Sequence, residues 1–485
     1  MSLYKNLFKQ TAIYGIATVV PRMFSFLLTP LYTGLLDKDA YGEVSIIFAW
    51  MVMFNVILAY GMETAFFRFY TTGDAKKVQS TATLSLFWTS VAFLGIALLS
   101  RNYLARASGI NVEYITYTIW VLVLDALVII PFSKLRAEGR PVYYTIVKIG
   151  NVAVNLGLNV FFLLYLPKLA AANPDSLTDT MYIADFQIGY IFISNLIASL
   201  LTFVVLVPHY FRISWTIDKE LWNRMMRYSL PVLVAGVAFA INETFDRILL
   251  QKILPDTIAE AEVGIYSACY KLAIFMTLFA TAFRLGIEPF FFSHAKNENA
   301  PQTYAMITKY FVIFGSVILL VVIVFSDLLK VIIIRDKEYW EGMKVVPLVI
   351  MANFFLGIYH NLSVWYKLSD RTKMGAYISI AGAVITLGLN FLLIPKYSYM
   401  GSAVATIAAY GSMMAISYTL GKKYYHIPYD IKKIGGYLGL SIGLSLVCFY
   451  FFRENYYVGI SAVLIYAFFI YSNEKVALLR IIRRR

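Results

Sequence analysis

Residues 155–164 read NLGLNVFFLL and residues 386–395 read TLGLNFLLIP, so that Leu156 to Asn159 matches Leu387 to Asn390 in register. Each stretch lies in an apolar run of the length that crosses a bilayer, about 20 residues for about 30 Å of hydrocarbon. Working outward, fourteen such runs are predicted, at 11–36, 42–67, 80–100, 114–133, 142–166, 183–208, 228–251, 263–288, 310–334, 345–366, 374–395, 401–420, 434–452 and 458–472. The matching stretches fall in spans five and eleven. An even displacement means that both halves thread the membrane in the same direction, so the repeats are related by an axis along the membrane normal. The expected fold is an all-α polytopic membrane protein of 14 transmembrane helices, two six-helix lobes as parallel repeats plus two C-terminal helices. The expected divisions are an N-terminal lobe at 1–208, a basic connector at 209–227, a second lobe at 228–433, two further helices at 434–472 and a basic tail at 473–485.

Composition agrees with a membrane chain. Of 485 residues 60% are hydrophobic and 14% charged, with a mean hydropathy of +0.69, whereas soluble chains are about one-quarter charged. The net charge of +14 does not point to nucleic acid, because no soluble segment carries a clustered basic face. Cys269 and Cys448 lie in apolar runs, and His209, His294, His360 and His426 lack ligand spacing, so neither a disulfide framework nor a metal site is indicated. The basic N-terminus precedes an apolar run that continues through Pro21 and Arg22 without a small-residue cleavage site, and it is read as a retained first span.

The surplus of cations reports topology. With the N-terminus placed inside, 26 Lys and Arg fall on that side of the predicted spans and 10 on the other. Basic segments are held on the cytoplasmic side, so both termini are expected there.

Six basic residues remain inside spans: Arg22, Lys148, Arg247, Lys271, Arg284 and Lys330. Lys330 sits near an outer end and can snorkel. A charge at bilayer depth costs about 2.5–3.5 kcal/mol on insertion scales, so the other five are expected to face a bundle interior or water. Acids accompany them at Glu63, Asp125, Glu243, Asp246 and Glu288. In span seven, Asn242 with Asp246 and Glu243 with Arg247 are one turn apart; in span eight, Thr277, Thr281, Arg284 and Glu288 form one stripe. Glu243–Arg247 and Arg284–Glu288 therefore also fit internal ion pairs that only hold helices in register. Arg22 and Lys148 have no acid within a turn, which favours an anion-attracting lumen. Pro21, Pro30, Pro231, Pro289 and Pro347 add bends whose freed carbonyls need water or a partner.

Three short stretches carry a resemblance. FSFLLTPLYTGLLDKDAYGEVSII with Tyr41 and Gly42, GMETAFFRFY with Gly61, Ala65 and Arg68, and EVGIYSACYKLA with Gly264, Tyr266 and Lys271 follow one another as in a known family. The chain resembles the polysaccharide-transporter branch of the multidrug/oligosaccharidyl-lipid/polysaccharide exporter superfamily, the bacterial O-antigen-type oligosaccharide flippases. The resemblance implies two six-helix lobes around a central cavity lined by spans one, two, seven and eight. It also implies a polyprenyl-diphosphate-linked oligosaccharide as substrate, moved from the cytoplasmic to the outer leaflet. In the related peptidoglycan-precursor flippases two extra C-terminal helices form a groove for the lipid tail, a role open to spans thirteen and fourteen here.

A diphosphate head suits Arg, whose planar fork gives two hydrogen bonds to one phosphate. Arg22, Lys271 and Arg284 are expected to receive it, with Lys148 and Arg247 at other depths; Asn155, Asn159 and Asn390 are candidates for sugar contacts. Glu63, Asp246 and Glu288 are the candidates for coupling to Na+ or H+, and no other cofactor is expected. Expected partners are the lipid-linked oligosaccharide, membrane lipids and, as a candidate, polysaccharide polymerase machinery, with no nucleic acid. The alternatives are a peptidoglycan-precursor or other lipid-linked glycan flippase, and a cation-coupled multidrug exporter, which should show surplus acids instead. An enzyme is not expected: Asp37-Lys38-Asp39 sits in a five-residue outer loop without a supporting domain, and no phosphate-binding Gly-x-x-x-x-Gly-Lys-Ser/Thr is present.

Overall fold

The computed structural model describes the secondary structure of residues 2–293, 299–369 and 371–482, and the side chains over 15–288, 290, 291, 299–369 and 371–475. Among the described residues every regular element is helical. In a bilayer each backbone donor must be satisfied within its own segment or a closed barrel, which is why apolar runs of this length become helices. Fourteen segments are long and apolar enough to cross: Gly15–Leu35, Lys38–Tyr70, Ala75–Ser108, Val112–Ala137, Pro141–Ala172, Gln187–Arg212, Lys219–Ile253, Asp256–Glu288, Ala300–Val324, Lys337–Leu368, Lys373–Tyr397, Tyr399–Tyr424, Ile431–Phe451 and Tyr456–Lys475. Starts are set by short polar caps. Asp37 accepts from Ala40 N, Asp74 from Lys76 N and Lys77 N, and Asp218 from Leu221 N, each satisfying an orphan donor of a first turn. Asp37 of the Asp-x-Asp is thus a helix cap.

Two boundaries differ from expectation. Span nine, expected to run to residue 334, stops at Val324, and a separate helix, Ser326–Ile333, follows a break at Phe325. Asp327 and Lys330 in that second helix are committed to ion pairs, so it does not continue as an apolar span. The basic connector is, in its second part from Lys219 on, the first turns of span seven. Ser214 N and Oγ donate to Ser80 Oγ, and Trp222 Nε1 donates to Ser85 Oγ, which fastens this stretch to span three.

The chain divides into two compact units, Met1–Gly264 and Ile265–Arg485. In the first, span one lies along span five, span two along span seven, three on four, and six on both four and five. In the second, nine lies on ten, twelve on both ten and eleven, and thirteen on nine. The packing of spans three to six therefore recurs in spans nine to twelve. The division by packing falls later than the connector because span seven lies along span two.

The glycines of the three signature stretches account for part of that packing. A Cβ on Gly42 would lie 1.9 Å from the Glu260 carbonyl oxygen, and one on Gly264 would lie 1.9 Å from that of Lys38. Spans two and eight cross backbone to backbone at this pair. Gly61 follows Tyr60 in a left-handed break, with φ of 72° and 30°, that interrupts span two. Its Cβ would lie 2.6 Å from the Ser229 carbonyl oxygen on span seven.

The matched asparagines are structural. Asn159 is fully buried, accepts from Tyr32 Oη of span one at 2.9 Å and donates to Asn155 O and Oδ1. Asn390, equally buried, accepts from Ser402 Oγ of span twelve at 2.7 Å and donates to Thr386 O. Asn155 is 9% exposed. Asn159 and Asn390 join helices and Asn155 is engaged by Asn159 on its own helix, as buried amides must be, and this corrects their reading as sugar contacts.

Spans thirteen and fourteen are fixed to the helix that follows span nine at one end and to span nine itself at the other. At one end Arg453, between them, donates to Asp327 Oδ2 and Oδ1 at 2.9 and 3.0 Å, and Lys330 Nζ lies 2.5 Å from Asp327 Oδ1 and 4.6 Å from the Trp340 ring. Lys330 is buried in this cluster, which corrects its reading as a snorkelling residue. At the other end the buried Glu474 accepts from Lys309 Nζ at 2.7 Å and Tyr437 Oη at 3.0 Å. Between these ends a Cβ on Gly459 would lie 2.4 Å from Val324 Cγ1.

Burial raises the Asp327 carboxyl, but hydrogen bonds from Arg453 and Lys330 and their positive charge outweigh it and hold the carboxyl below its usual range. A carboxylate whose folded pKa lies below its unfolded value of about 3.9 adds stability above that value and loses it as pH falls through the folded one. With the intrinsic slowing of amide exchange in acid divided out, protection around residues 452–458 is therefore expected to fall on acidification from about pH 6 to pH 3. In Asp327→Asn the same segment should be less protected at pH 6 and its protection should respond little to acid; an unchanged wild-type profile would contradict this.

Candidate functional site

In the first unit the in-span charges fall into three places. Arg22 is an exposed residue of span one. At one end of span seven, Arg247 Nη1 donates to Asp246 Oδ1 at 3.1 Å and to the Glu243 carbonyl at 3.2 Å; Asp246 is buried while Glu243 is exposed. This polar face, made from one helix as the spacing implied, uses the backbone of Glu243 and the carboxylate of Asp246.

The third place lies at the ends of spans two and four and the start of five. Arg136 Nη1 lies 2.8 Å from Glu63 Oε1 and its guanidinium stacks on the Phe67 ring at 4.9 Å. Lys148 Nζ sits 4.5 Å from the Phe132 ring centroid, within electrostatic reach of Asp125 and Glu63. Asp125 in turn accepts from Ser199 Oγ at 2.8 Å. Lys148 thus belongs to a charge network drawn from four spans of the unit. Its acids lie on other spans, where spacing along one helix does not reveal them.

The second unit holds Lys271, Arg284 and Glu288. Lys271 is exposed, at the one-turn 3-10 segment Lys271–Ala273 that interrupts span eight. Arg284 and Glu288 line a pocket together with His360, Asn361, Ser363 and Lys367 of span ten. Lys367 Nζ lies 2.5 Å from Glu288 Oε1, so Glu288 is held across helices, beyond the intrahelical pairing with Arg284 that spacing allowed. His360 lies within electrostatic reach of both Arg284 and Lys367.

Three members of this chemistry escaped the sequence reading. Arg136 and Lys367 fall at the ends of spans and count there as ordinary loop cations, and His360 shows no spacing with any partner. Their only sequence signal is a basic residue closing an even-numbered span. The pocket contains two cations, one carboxylate, an imidazole, an amide and a hydroxyl, a donor-rich set suited to an oxyanion. Among the described residues no group of three or more His, Cys, Asp or Glu could hold a metal ion; Cys269 and Cys448 are free and buried.

Comparison with known proteins places the chain. Residues 7–283 match the family model described as polysaccharide biosynthesis protein, and residues 256–392 match the MatE model. Lsg locus putative protein 1 of Haemophilus influenzae is 18% identical over 466 residues, covering 93% of this chain and 98% of the relative. An uncharacterized membrane protein of the same organism is 20% identical over 415 residues, covering 82% and 94%. The fold is similar to that of the lipid II flippase MurJ in an inward closed conformation, with a TM-score of 0.73 at 16% identity over 95% of this chain and 99% of that one. It is also similar to an inward-facing multidrug resistance MATE transporter, with a TM-score of 0.65 at 11% identity over 88% and 98%. A transporter of the same superfamily from Pyrococcus furiosus, described as having a binding pocket of reversed polarity, gives a TM-score of 0.58 at 12% identity over 86% and 95%. Because the first family match spans more than half of its length, the chain belongs to the polysaccharide biosynthesis protein family.

Proposed function

We propose that the chain carries a polyprenyl-diphosphate-linked oligosaccharide from the cytoplasmic to the outer leaflet of a bacterial cytoplasmic membrane by alternating access, with both termini in the cytoplasm. The observation that carries this reading is the donor-rich pocket around Arg284 and Lys367, in a chain whose spans keep further cations at Arg22, Lys148, Arg247 and Lys271. A diphosphate is a dense anion that cannot cross hydrocarbon unaided, and forked guanidinium donors can replace its hydration. Arg284, Arg22 and Lys271 receive the head in this scheme, and Arg247 and Lys148 act at other depths, Lys148 through its network with Asp125 and Glu63. An inside-negative potential assists outward movement of an anion by about 2.3 kcal/mol per charge per 100 mV. Return of the empty carrier is coupled to Na+ or H+ through Glu63, Asp246 or Glu288. Polymerase machinery acting on the delivered oligosaccharide is a fitting partner.

Arg284→Ala and Arg22→Ala are each expected to lower the appearance of lipid-linked oligosaccharide in the outer leaflet at least tenfold, measured with an impermeant sugar-specific probe on proteoliposomes. Normal rates in both variants would end the proposal. The second reading, a peptidoglycan-precursor carrier, is favoured by fourteen spans and by the similarity to MurJ. The same vesicles loaded with lipid II separate the two, since the first reading requires slow movement of lipid II beside fast movement of the oligosaccharide lipid. A drug exporter fits less well, because an organic cation is repelled by the surplus of basic residues.

A further inference from the structure

The pair formed by Lys367 and Glu288 has a counterpart. Arg136 closes span four and holds Glu63 near the end of span two; Lys367 closes span ten and holds Glu288 at the end of span eight. Arg136 and Lys367 are 231 positions apart (367 − 136), the same displacement as Asn159 and Asn390 (390 − 159). The sequences around the two pairs do not match, and the base is Arg in one and Lys in the other. What recurs is the arrangement, an acid on the second span of a half and a base on the fourth.

Neither pair is sealed. The side chains of Lys367 and Glu288 are 30% and 36% exposed, and those of Arg136 and Glu63 are 43% and 46% exposed. Ion pairs with this much water contact hold weakly and exchange partners readily. In the second unit the pair opens onto a pocket whose other polar walls are Arg284, His360, Asn361 and Ser363. With Glu288 in place, a carboxylate already sits on Lys367.

We infer that Glu288 is a resident counter-ion that occupies, on Lys367, the place of an incoming phosphate oxygen, making Lys367 a diphosphate-binding residue beside Arg284 and Glu288 a built-in competitor of the ligand. The inference rests on the proposed anionic substrate and adds to it how Lys367 is kept paired in the empty pocket. Lys367 has three rotatable donors and can turn from carboxylate to phosphate without moving its backbone. Arg284 can meet the same phosphate with two donors. Exchange of one oxyanion for another keeps Lys367 partnered throughout the cycle. A carboxylate kept for register alone would show no competition with an anion.

Purified protein in lipid nanodiscs, titrated calorimetrically with inorganic pyrophosphate and with farnesyl diphosphate, tests this. Glu288→Gln is expected to bind either probe about tenfold more tightly than wild type, and Lys367→Gln about tenfold more weakly, with Lys367→Arg near wild type. Thermal melting of each variant confirms that it is folded. Tighter binding of farnesyl diphosphate than pyrophosphate assigns the site to a lipid headgroup, and equal binding assigns it to a free anion; with the variants in the stated order, both uphold the exchange. If Glu288→Gln gains nothing, or Lys367→Gln loses nothing while Arg284→Gln loses binding, the exchange is wrong and the anionic-substrate reading stands. If no protein binds either probe, both fall.

Discussion

Gly42→Val is expected to leave almost no folded protein, and Gly264→Val to do the same. The atoms that a new side chain would meet are backbone, the Glu260 carbonyl for Gly42 and the Lys38 carbonyl for Gly264, both at 1.9 Å from the first carbon alone. No rotamer change relieves such a contact. The helices must separate by more than 1 Å, which also disturbs the flanking buried residues Tyr41, Val44 and Val263. Overpacking in a well-filled interior costs about 1–3 kcal/mol when side chains can shift, and here they cannot, so about 3 kcal/mol or more is expected. The comparison is with Gly157→Ala and Gly388→Ala, where nothing lies within 4 Å of the added carbon. Those changes should raise stability by about 0.5–1 kcal/mol through helix propensity. Retained monodisperse protein after heating reads all four, and a Gly42→Val variant that survives like wild type would refute the close crossing.

That contrast shows what the sequence made legible. The fourteen spans were readable because hydrocarbon forces one solution on any long apolar run, and all fourteen are helical. The matched Leu-Gly-Leu-Asn stretches pointed to the repeat, and their asparagines occupy related buried positions, yet their glycines touch nothing. The glycines that bring backbones together stood in the looser signature stretches, as single residues in unremarkable surroundings. Charge pairing was less legible still. Spacing rules detect partners three or four positions apart on one helix. Four of the pairs in the structure join residues 73, 79, 126 and 165 positions apart, at Arg136–Glu63, Lys367–Glu288, Arg453–Asp327 and Lys309–Glu474. Arg453 and Lys367 looked like topology-setting loop cations, and nothing local marks them otherwise. The same limit hid Asp125 and Glu63 from Lys148, which seemed to lack an acid because its acids belong to other spans.

Asp327→Ala should be far more damaging than Arg453→Ala, although the two side chains meet in one bidentate contact. Asp327 is 5% exposed and serves two cations, Arg453 and Lys330. Removing it leaves Lys330, itself 9% exposed, with the distant and largely exposed Glu454 at 3.7 Å and the face of Trp340. Breaking a buried pair so that one charge remains costs about 3–5 kcal/mol. Glu454 and the ring recover part of that, so about 3 kcal/mol is expected. Arg453 is 39% exposed at its side chain, and its removal leaves Asp327 still paired with Lys330; about 1 kcal/mol is expected, in keeping with a partly hydrated ion pair. Asp327→Ala combined with Lys330→Met should recover much of the loss, because no buried charge is then left unpaired and Arg453, 39% exposed, is hydrated. The pair of helices from Ile431 to Lys475 is anchored through this cluster on the helix after span nine at one end and through Glu474 on span nine at the other. Loosening one anchor should therefore release the helix pair before the rest of the unit. Limited proteolysis at the 452–455 turn, run beside thermal melting, distinguishes the cases: early cleavage in Asp327→Ala with rescue by the second change supports the anchoring, and equal melting of the two single variants would refute it.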